Sequence, residues 1–135
     1  MTHNRTGQTF LALVFLIGGI IALAGITLAF LATSFIDSGY GFQASIKAET
    51  VANSGVQDAL LQLDRNPAFS NTGGYSLPVG SSTATVTVTQ GSPSANFITI
   101  LSTATVSGHT KKINVVVSES TTTAQMSIVS QREIQ

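Results

Sequence analysis

The first quarter of the chain is almost entirely apolar, whereas later segments alternate apolar with polar residues. Residues 6–36 include no charged side chain, and residues 10–36 contain sixteen Leu, Ile, Phe and Val, five Ala, three Gly and three Ser or Thr. As a helix this run is ~40 Å long, which exceeds the ~30 Å hydrocarbon core of a bilayer. The pattern predicts a transmembrane half-helix over residues 8–36, because the polar remainder could not enclose a buried helix.

The charges on either side of this segment predict its orientation. Arg5 and the terminal amine precede it, and Asp37 is the first charge after it. The positive-inside rule then leaves the N-terminus in the cytoplasm and the rest outside the cytoplasmic membrane. The alternative is a secretory signal cleaved after Ala24, within the small-x-small sequence Ala22-Leu23-Ala24. Cleavage there would leave residues 25–36 as an apolar new terminus with nothing to bury it.

A helical period continues beyond the apolar segment. Between residues 42 and 64, apolar side chains recur at three- and four-residue steps, which is the spacing of one helix face. Asn66-Pro67 predicts the end of the helix. Residues 37–66 are therefore expected to be an amphipathic half of the same helix, packed on the following domain through Ala52, Val56, Ala59, Leu60 and Leu63.

The period then changes to two, which is the spacing of strands. Residues 70–74 are predicted to be a loop, and strands are predicted at 75–79, 84–89, 97–106 and 112–117, with turns at 91–95 and 107–110. This pattern is typical of an antiparallel meander, here over residues 67–119, with one apolar face that the helix can cover. Residues 120–135 add an edge strand at 126–129 or a loose tail. The predicted class is α+β.

The composition limits the chemistry further. Charged residues make up 9% of the chain, against about 25% in ordinary soluble domains. Six basic and six acidic residues cancel, so no attraction to nucleic acid is indicated. The absence of cysteine excludes disulfides and thiolate metal sites.

No group of residues predicts an active site. His3 lies in the N-terminal tail and His109 in a predicted turn, and no carboxylates are spaced for shared acid and base work. Asp58 and Asp64 alone do not form an oxygen cage for a metal. We therefore expect no enzymatic activity, cofactor or metal. Lys111-Lys112 is interpreted as a solvated strand end that could also favour a negatively charged partner.

Together these parts resemble the type IV pilin superfamily. In that family a polar leader is cut by prepilin peptidase after a glycine; here the leader is residues 1–7 and the matching break lies between Gly7 and Gln8. The segment Ala52-Asn-Ser-Gly-Val-Gln-Asp-Ala-Leu60 is similar to the signature of PilX-like minor pilins. The resemblance covers the first half of the chain, while the predicted sheet matches only in architecture.

Two residues depart from the family pattern. Pilins usually begin their mature chain with phenylalanine and have glutamate at its fifth position, where this chain has Gln8 and Ala12. In the family that glutamate is thought to pair with a neighbour's terminal amine during assembly. In lacking this glutamate, the chain resembles some minor or tip subunits of pili and secretion pseudopili.

The resemblance implies a structural role. The chain would be a minor subunit of a type IV pilus or pseudopilus whose partners are other pilin subunits, prepilin peptidase, the inner-membrane assembly platform and, before assembly, lipid. Small residues suited to close helix packing are Gly18, Gly19, Ala22 and Gly25, although they could equally be ordinary residues of a single-pass anchor. The alternative function is a permanently anchored protein whose extracellular β-domain binds a surface partner.

Overall fold

The chain folds as one long helix followed by five strands. The computed structural model describes residues 5–120 and 126–134, with side chains from Thr9 onward. Helix α1 is Arg5–Arg65, and the strands are β1 Asn71–Val79, β2 Ser82–Gln90, β3 Phe97–Val106, β4 His109–Glu119 and β5 Met126–Ile134. The strands pair antiparallel in chain order. The predicted α+β class, a long N-terminal helix packed on an antiparallel sheet, is confirmed.

Two compact units meet in the chain between Tyr40 and Gly41. The first unit is the apolar part of α1, and all of its described side chains, from Thr9 to Tyr40, are exposed. The second unit contains the rest of α1 and the five strands, and it holds the hydrophobic core. Within the described residues, burial is therefore a property of the second unit.

The core lies between α1 and one face of the sheet. Residues of β2, β3 and β4 alternate between buried and more exposed, as expected for strands with one covered face. The strands contribute the aliphatic residues Ala84, Val86, Val88, Ile98, Ile100, Ala104, Ile113, Val115 and Val117. The helix contributes Ala48, Val51, Ala52, Val56, Ala59 and Leu63. Each large aliphatic side chain buried in this way stabilises the fold by about 1.5–3 kcal/mol relative to exposure.

The connection after α1 is fastened to the sheet. The helix ends at Arg65, and the Asn66 amide donates to Gln62 O at 2.9 Å. Pro67 has no amide hydrogen and cannot extend the ladder. The side-chain amide of Gln90 donates to Pro67 O at 2.8 Å and to Phe69 O at 2.9 Å, which ties this connection to the end of β2.

The predicted loop at residues 70–74 was wrong beyond Ser70. Asn71 already pairs with Val88 as the first residue of β1, and the register shifts between Asn71 and Tyr75. Gly74 has a φ of 79°, a conformation that glycine adopts without strain. The glycines therefore bulge the strand instead of preventing it.

The predicted turn at residues 107–110 was wrong in its second half. Ser107 and Gly108 have φ values of 48° and 82° and form a two-residue turn, whose positive φ angles match the twist of the paired strands. His109 pairs with Val106, and Thr110 also belongs to β4. His109 is thus a strand residue.

The other predicted strands and the turn at 91–95 agree with β1 to β4. Of the two alternatives for the C-terminal residues, the structure has the edge strand: β5 pairs with β4 from Lys112 to Glu119. The first four residues of the predicted leader lie outside the described residues.

Candidate functional site

The apolar part of α1 presents a continuous hydrophobic surface. Phe10, Phe15 and Phe30 are 69%, 79% and 76% exposed. Soluble monomers rarely expose contiguous apolar surface on this scale. Among the described residues, α1 is the helix long and apolar enough to cross a membrane, although a signal sequence near the N-terminus would meet the same criteria.

The hydroxyl groups of Thr27 and Thr33 within this segment are satisfied by the helix itself. Thr27 Oγ1 donates to Leu23 O at 2.7 Å and lies 3.0 Å from Ala24 O, and Thr33 Oγ1 donates to Phe30 O at 2.9 Å. An unpaired donor would cost several kcal/mol in the hydrocarbon region. These bonds allow the threonines to face lipid or another helix through their methyl groups.

The predicted helix-packing residues are all exposed. Gly18, Ala22 and Gly25 share one side of α1, because residues four and seven apart lie on the same face. A Cβ built on Gly18, Gly19 or Gly25 would have no heavy atom within 4 Å outside the local helix backbone. The absence of side chains here leaves the helix backbone open to close approach by a partner.

The predicted processing site lies at the start of α1. Gly7 and Gln8 have helical backbone, and their side chains lie outside the described part of the chain. Ala12 is exposed on the same helix. The surface at this position therefore presents a methyl group where the pilin resemblance would place a carboxylate.

The predicted helix–sheet contact residues occupy the core of the second unit. Ala52, Val56, Ala59 and Leu63 belong to the buried cluster, and Leu60 is partly buried against it. Their three- and four-residue spacing gives α1 a continuous apolar stripe.

Gly55 is the most closely packed of the described glycines on α1. A Cβ there would lie 3.1 Å from Ala84 Cβ and 2.8 Å from Val86 Cγ2, and it would be closer still to Ser102 Oγ. Ser102 is fully buried, and its hydroxyl has no hydrogen-bond partner among the described residues. Sequence reasoning included Gly55 in the pilin-like signature but did not assign it a contact. Glycine is what lets the helix approach the sheet this closely.

A polar contact joins the same helix segment to β1. Tyr75 Oη donates to Asp58 Oδ2 at 2.7 Å, and the Tyr75 ring makes an edge-to-face contact with Phe69 at a centroid distance of 6.1 Å. Burial, followed by the hydrogen bond to Asp58 and the charge of that carboxylate, raises the pKa of Tyr75 well above its usual value. Sequence reasoning missed this pair because Asp58 and Tyr75 meet only through the tertiary fold.

The described residues show no group that resembles a reaction centre. A cavity of about 560 Å³ is lined by Lys47, by Val106 and by hydroxyl side chains of β2, β3 and their adjoining turns, with no carboxylate or imidazole in its lining. His109 is exposed. The part of the chain that is described contains no cluster of three His, Cys, Asp or Glu residues that could hold a metal.

Comparisons with protein-family models, with curated proteins and with solved structures found no match. The architecture itself, an apolar N-terminal helix followed by a five-stranded antiparallel sheet onto which the same helix packs, is pilin-like.

Proposed function

We propose that this chain is a structural, pilin-like subunit that the N-terminal helix holds in the cytoplasmic membrane and later joins to a filament. In this proposal prepilin peptidase cleaves after Gly7, and the inner-membrane platform assembles the processed chain with other pilin subunits. The chain is a minor subunit of a type IV pilus or pseudopilus, and its sheet unit reaches the cell surface. No catalytic role, cofactor or metal is assigned.

The observation that carries the proposal is the change of surroundings along α1. Up to Tyr40 the described side chains are exposed and mostly apolar, whereas from Ala48 to Leu63 the helix buries a face on the sheet. Lipid and a bundle of similar helices are the two surroundings that suit the first part. Moving between them gains little hydrophobic energy, because lipid tails are as apolar as leucine. Close packing at Gly18, Ala22 and Gly25 supplies the attraction instead.

A second candidate function is a permanent single-pass anchor whose sheet unit binds a surface partner. Ala12 favours this alternative, since it lacks the carboxylate that pilins use to set the register of neighbouring helices. A charged side chain at the centre of a bilayer costs ~2.5–3.5 kcal/mol on insertion scales. Ala12 avoids that cost, which suits a helix that stays in lipid.

Mass spectrometry of the native N-terminus separates these functions. A chain that starts at Gln8 supports the subunit, an intact leader supports the anchor, and a start at Gly25 indicates a cleaved secretory signal. Replacing Gly7 with valine should leave the leader in place, because the peptidase would lose its glycine. The matched control, Thr6→Val, should still be processed.

Imaging tests assembly directly. The chain has no cysteine, so a single Ser81→Cys substitution in the exposed turn between β1 and β2 provides one labelling site on the sheet unit. Label found along filaments or at their ends supports the proposal that the chain is a filament subunit. A diffuse membrane signal in cells that make filaments contradicts it.

A further inference from the structure

The charges of the second unit are divided between its two sides. We define the outer face as the sheet surface opposite α1. Lys112 lies on this face because its neighbour Ile113 is buried against α1 and successive strand residues point to opposite faces. Asn114 points the same way as Lys112, and Arg132 pairs with Asn114, so Arg132 lies on the outer face as well. Within the described strands, no acidic residue shares the outer face. The outer face therefore carries a net charge of +2 from Lys112 and Arg132.

The opposite surface, the helix side, comprises α1 from Gly41 onward and the strand residues in phase with the buried ones. It carries three basic and five acidic residues, a net charge of −2. The basic residues are Lys47, Arg65 and Lys111, and the acidic residues are Glu49, Asp58, Asp64, Glu119 and Glu133. The unit is neutral as a whole but electrically polarised from one side to the other.

Two of the helix-side acids have partners within their own chain. Asp58 accepts a hydrogen bond from Tyr75, and Glu133 forms an ion pair with Lys111. Glu49 and Asp64 are exposed on α1. Glu49 also interacts with the charge of Lys111, so Asp64 is the carboxylate best placed to meet the cations of a partner, followed by Glu49.

Asp64 also borders an apolar depression on the helix side. The depression has a volume of about 500 Å³ and is lined by Gln57, Leu60, Leu61, Asp64, Val117, Met126 and Ile128. Leu61 and Ile128 are 57% and 52% exposed. An apolar patch with an acidic rim can bury hydrophobic area in a contact whose orientation is set by charge.

The outer face has the complementary character. Hydroxyl side chains pair across it, as in Thr85 with Thr103 and Thr89 with Thr99, and Leu101 and Val116 lie partly buried between them. Lys112 on β4 and Arg132 on β5 lie at one edge of this otherwise uncharged surface. Few charges would have to be desolvated when the surface is covered.

We propose that the outer face of one copy docks on the helix side of a second copy of this chain. The contact is heterologous, so it leaves one unused surface at each end that a further subunit can occupy. Exposed ion pairs each contribute little to affinity, so the charges select which faces meet while the apolar patch supplies buried area. The inference rests on the proposed function, because it orients sheet units that the helices have already brought together.

Zero-length cross-linking tests this contact on the full chain. Isotopically heavy and light chains are mixed in vesicles of zwitterionic lipid and treated with a carbodiimide, which joins an amine to a carboxylate as an amide. We expect heavy-to-light cross-links from Lys112 to Glu49 or Asp64. Their yield should fall as salt rises, because exposed charges are screened over a Debye length of ~10 Å at 0.1 M salt.

A matched pair of charge reversals separates the face from the overall charge. Arg132→Glu on the outer face should lower the yield of Lys112 cross-links roughly fivefold, the effect expected for loss of about one exposed ion pair. Arg65→Glu changes the net charge equally but lies on the helix side, so it should leave the yield unchanged or raise it. Equal yields for both variants and the unaltered chain would overturn the proposal.

Fluorescence energy transfer between chains labelled near the N-terminus reports helix association in the same vesicles. Transfer without heavy-to-light cross-links at Lys112 would overturn the face assignment alone. Loss of both signals would also count against the proposed function. Capture of a second population of anionic vesicles by the unaltered chain in its zwitterionic vesicles, but not by Arg132→Glu, without Lys112 cross-links would assign the outer face to an anionic partner, against this proposal.

Discussion

The close approach of α1 to the sheet at Gly55 predicts an unusual response to the substitution Gly55→Ala. In an exposed helix position this change normally stabilises a protein by up to ~1 kcal/mol, because alanine restricts the unfolded chain. Here the new Cβ would meet Val86 Cγ2 at 2.8 Å and would also crowd Ser102 Oγ. Real Cβ atoms essentially never lie so close to another heavy atom, so helix or sheet must shift.

The magnitude follows from the surroundings of the new methyl group. Val86 and Ser102 are both fully buried, and the β-branched valine has little rotamer freedom with which to yield. Overpacking of this kind typically costs 1–3 kcal/mol. After subtraction of the helix-propensity gain, we expect the free energy of unfolding of the second unit to fall by about 1–2 kcal/mol.

Gly41→Ala is the matched control within the same helix and unit. Its Cβ would lie 3.6 Å from His109 Nε2 and 3.7 Å from Cε1, which is ordinary van der Waals contact with an exposed side chain. We expect this variant to be as stable as the unaltered chain or more stable by up to ~1 kcal/mol. The same substitution, glycine to alanine, is thus expected to lower the free energy of unfolding at residue 55 and to leave it unchanged or raise it at residue 41.

The assay is urea denaturation of the full-length chain in a mild nonionic detergent, followed by far-ultraviolet circular dichroism. Gly55→Ala should lower the urea midpoint by roughly 1 M relative to Gly41→Ala, with little change in slope. Adding Ser102→Ala to Gly55→Ala should recover part of the loss, because it removes the nearest clashing atom together with a buried hydroxyl that lacks a partner. If Gly55→Ala and Gly41→Ala stabilise the unit equally, the reasoning about close approach is wrong.

The remaining predictions concern the Asp58–Tyr75 pair and the small residues of the membrane segment. Tyr75→Phe should lower the free energy of unfolding by about 0.5–1.5 kcal/mol in the same assay, because one hydrogen bond is lost; no change would show that the pair contributes nothing. Because the pKa of Tyr75 is raised in the fold, its neutral form is favoured there, and stability should decline as the pH rises above about 10, the pKa of tyrosine in an unfolded chain. Tyr75→Phe should reduce that alkaline decline, and an identical decline in both proteins would contradict the assignment. Replacing Gly18 and Gly25 with leucine should preserve membrane insertion but weaken energy transfer between labelled helices, whereas Ala24→Leu, on another side of the helix, should weaken it less.

Much of the fold follows from local pattern in the sequence. A long uncharged run, a helical period ending at Asn66-Pro67, and alternating β-branched runs are signals carried by neighbouring residues, so the α+β class and most strand positions could be predicted. The same locality explains the errors. The glycines at 73 and 74 signal a loop, yet pairing of the flanking Asn71 and Tyr75 with β2 keeps them within a strand. His109 follows a glycine, as a turn residue often does, but Ser107 and Gly108 already complete the turn.

The amino-acid sequence alone specifies which segments are apolar and with what period, because hydrophobicity and backbone preference reside in each residue and its near neighbours. Tertiary structure decided which distant groups meet: Gly55 above Ser102, and Asp58 with Tyr75. It also decided that Lys112 and Arg132 share a face free of acidic side chains among the described strands, since strand register places residues twenty positions apart on one face of two neighbouring strands. Such contacts depend on how helix and strands are packed together, which no local pattern encodes.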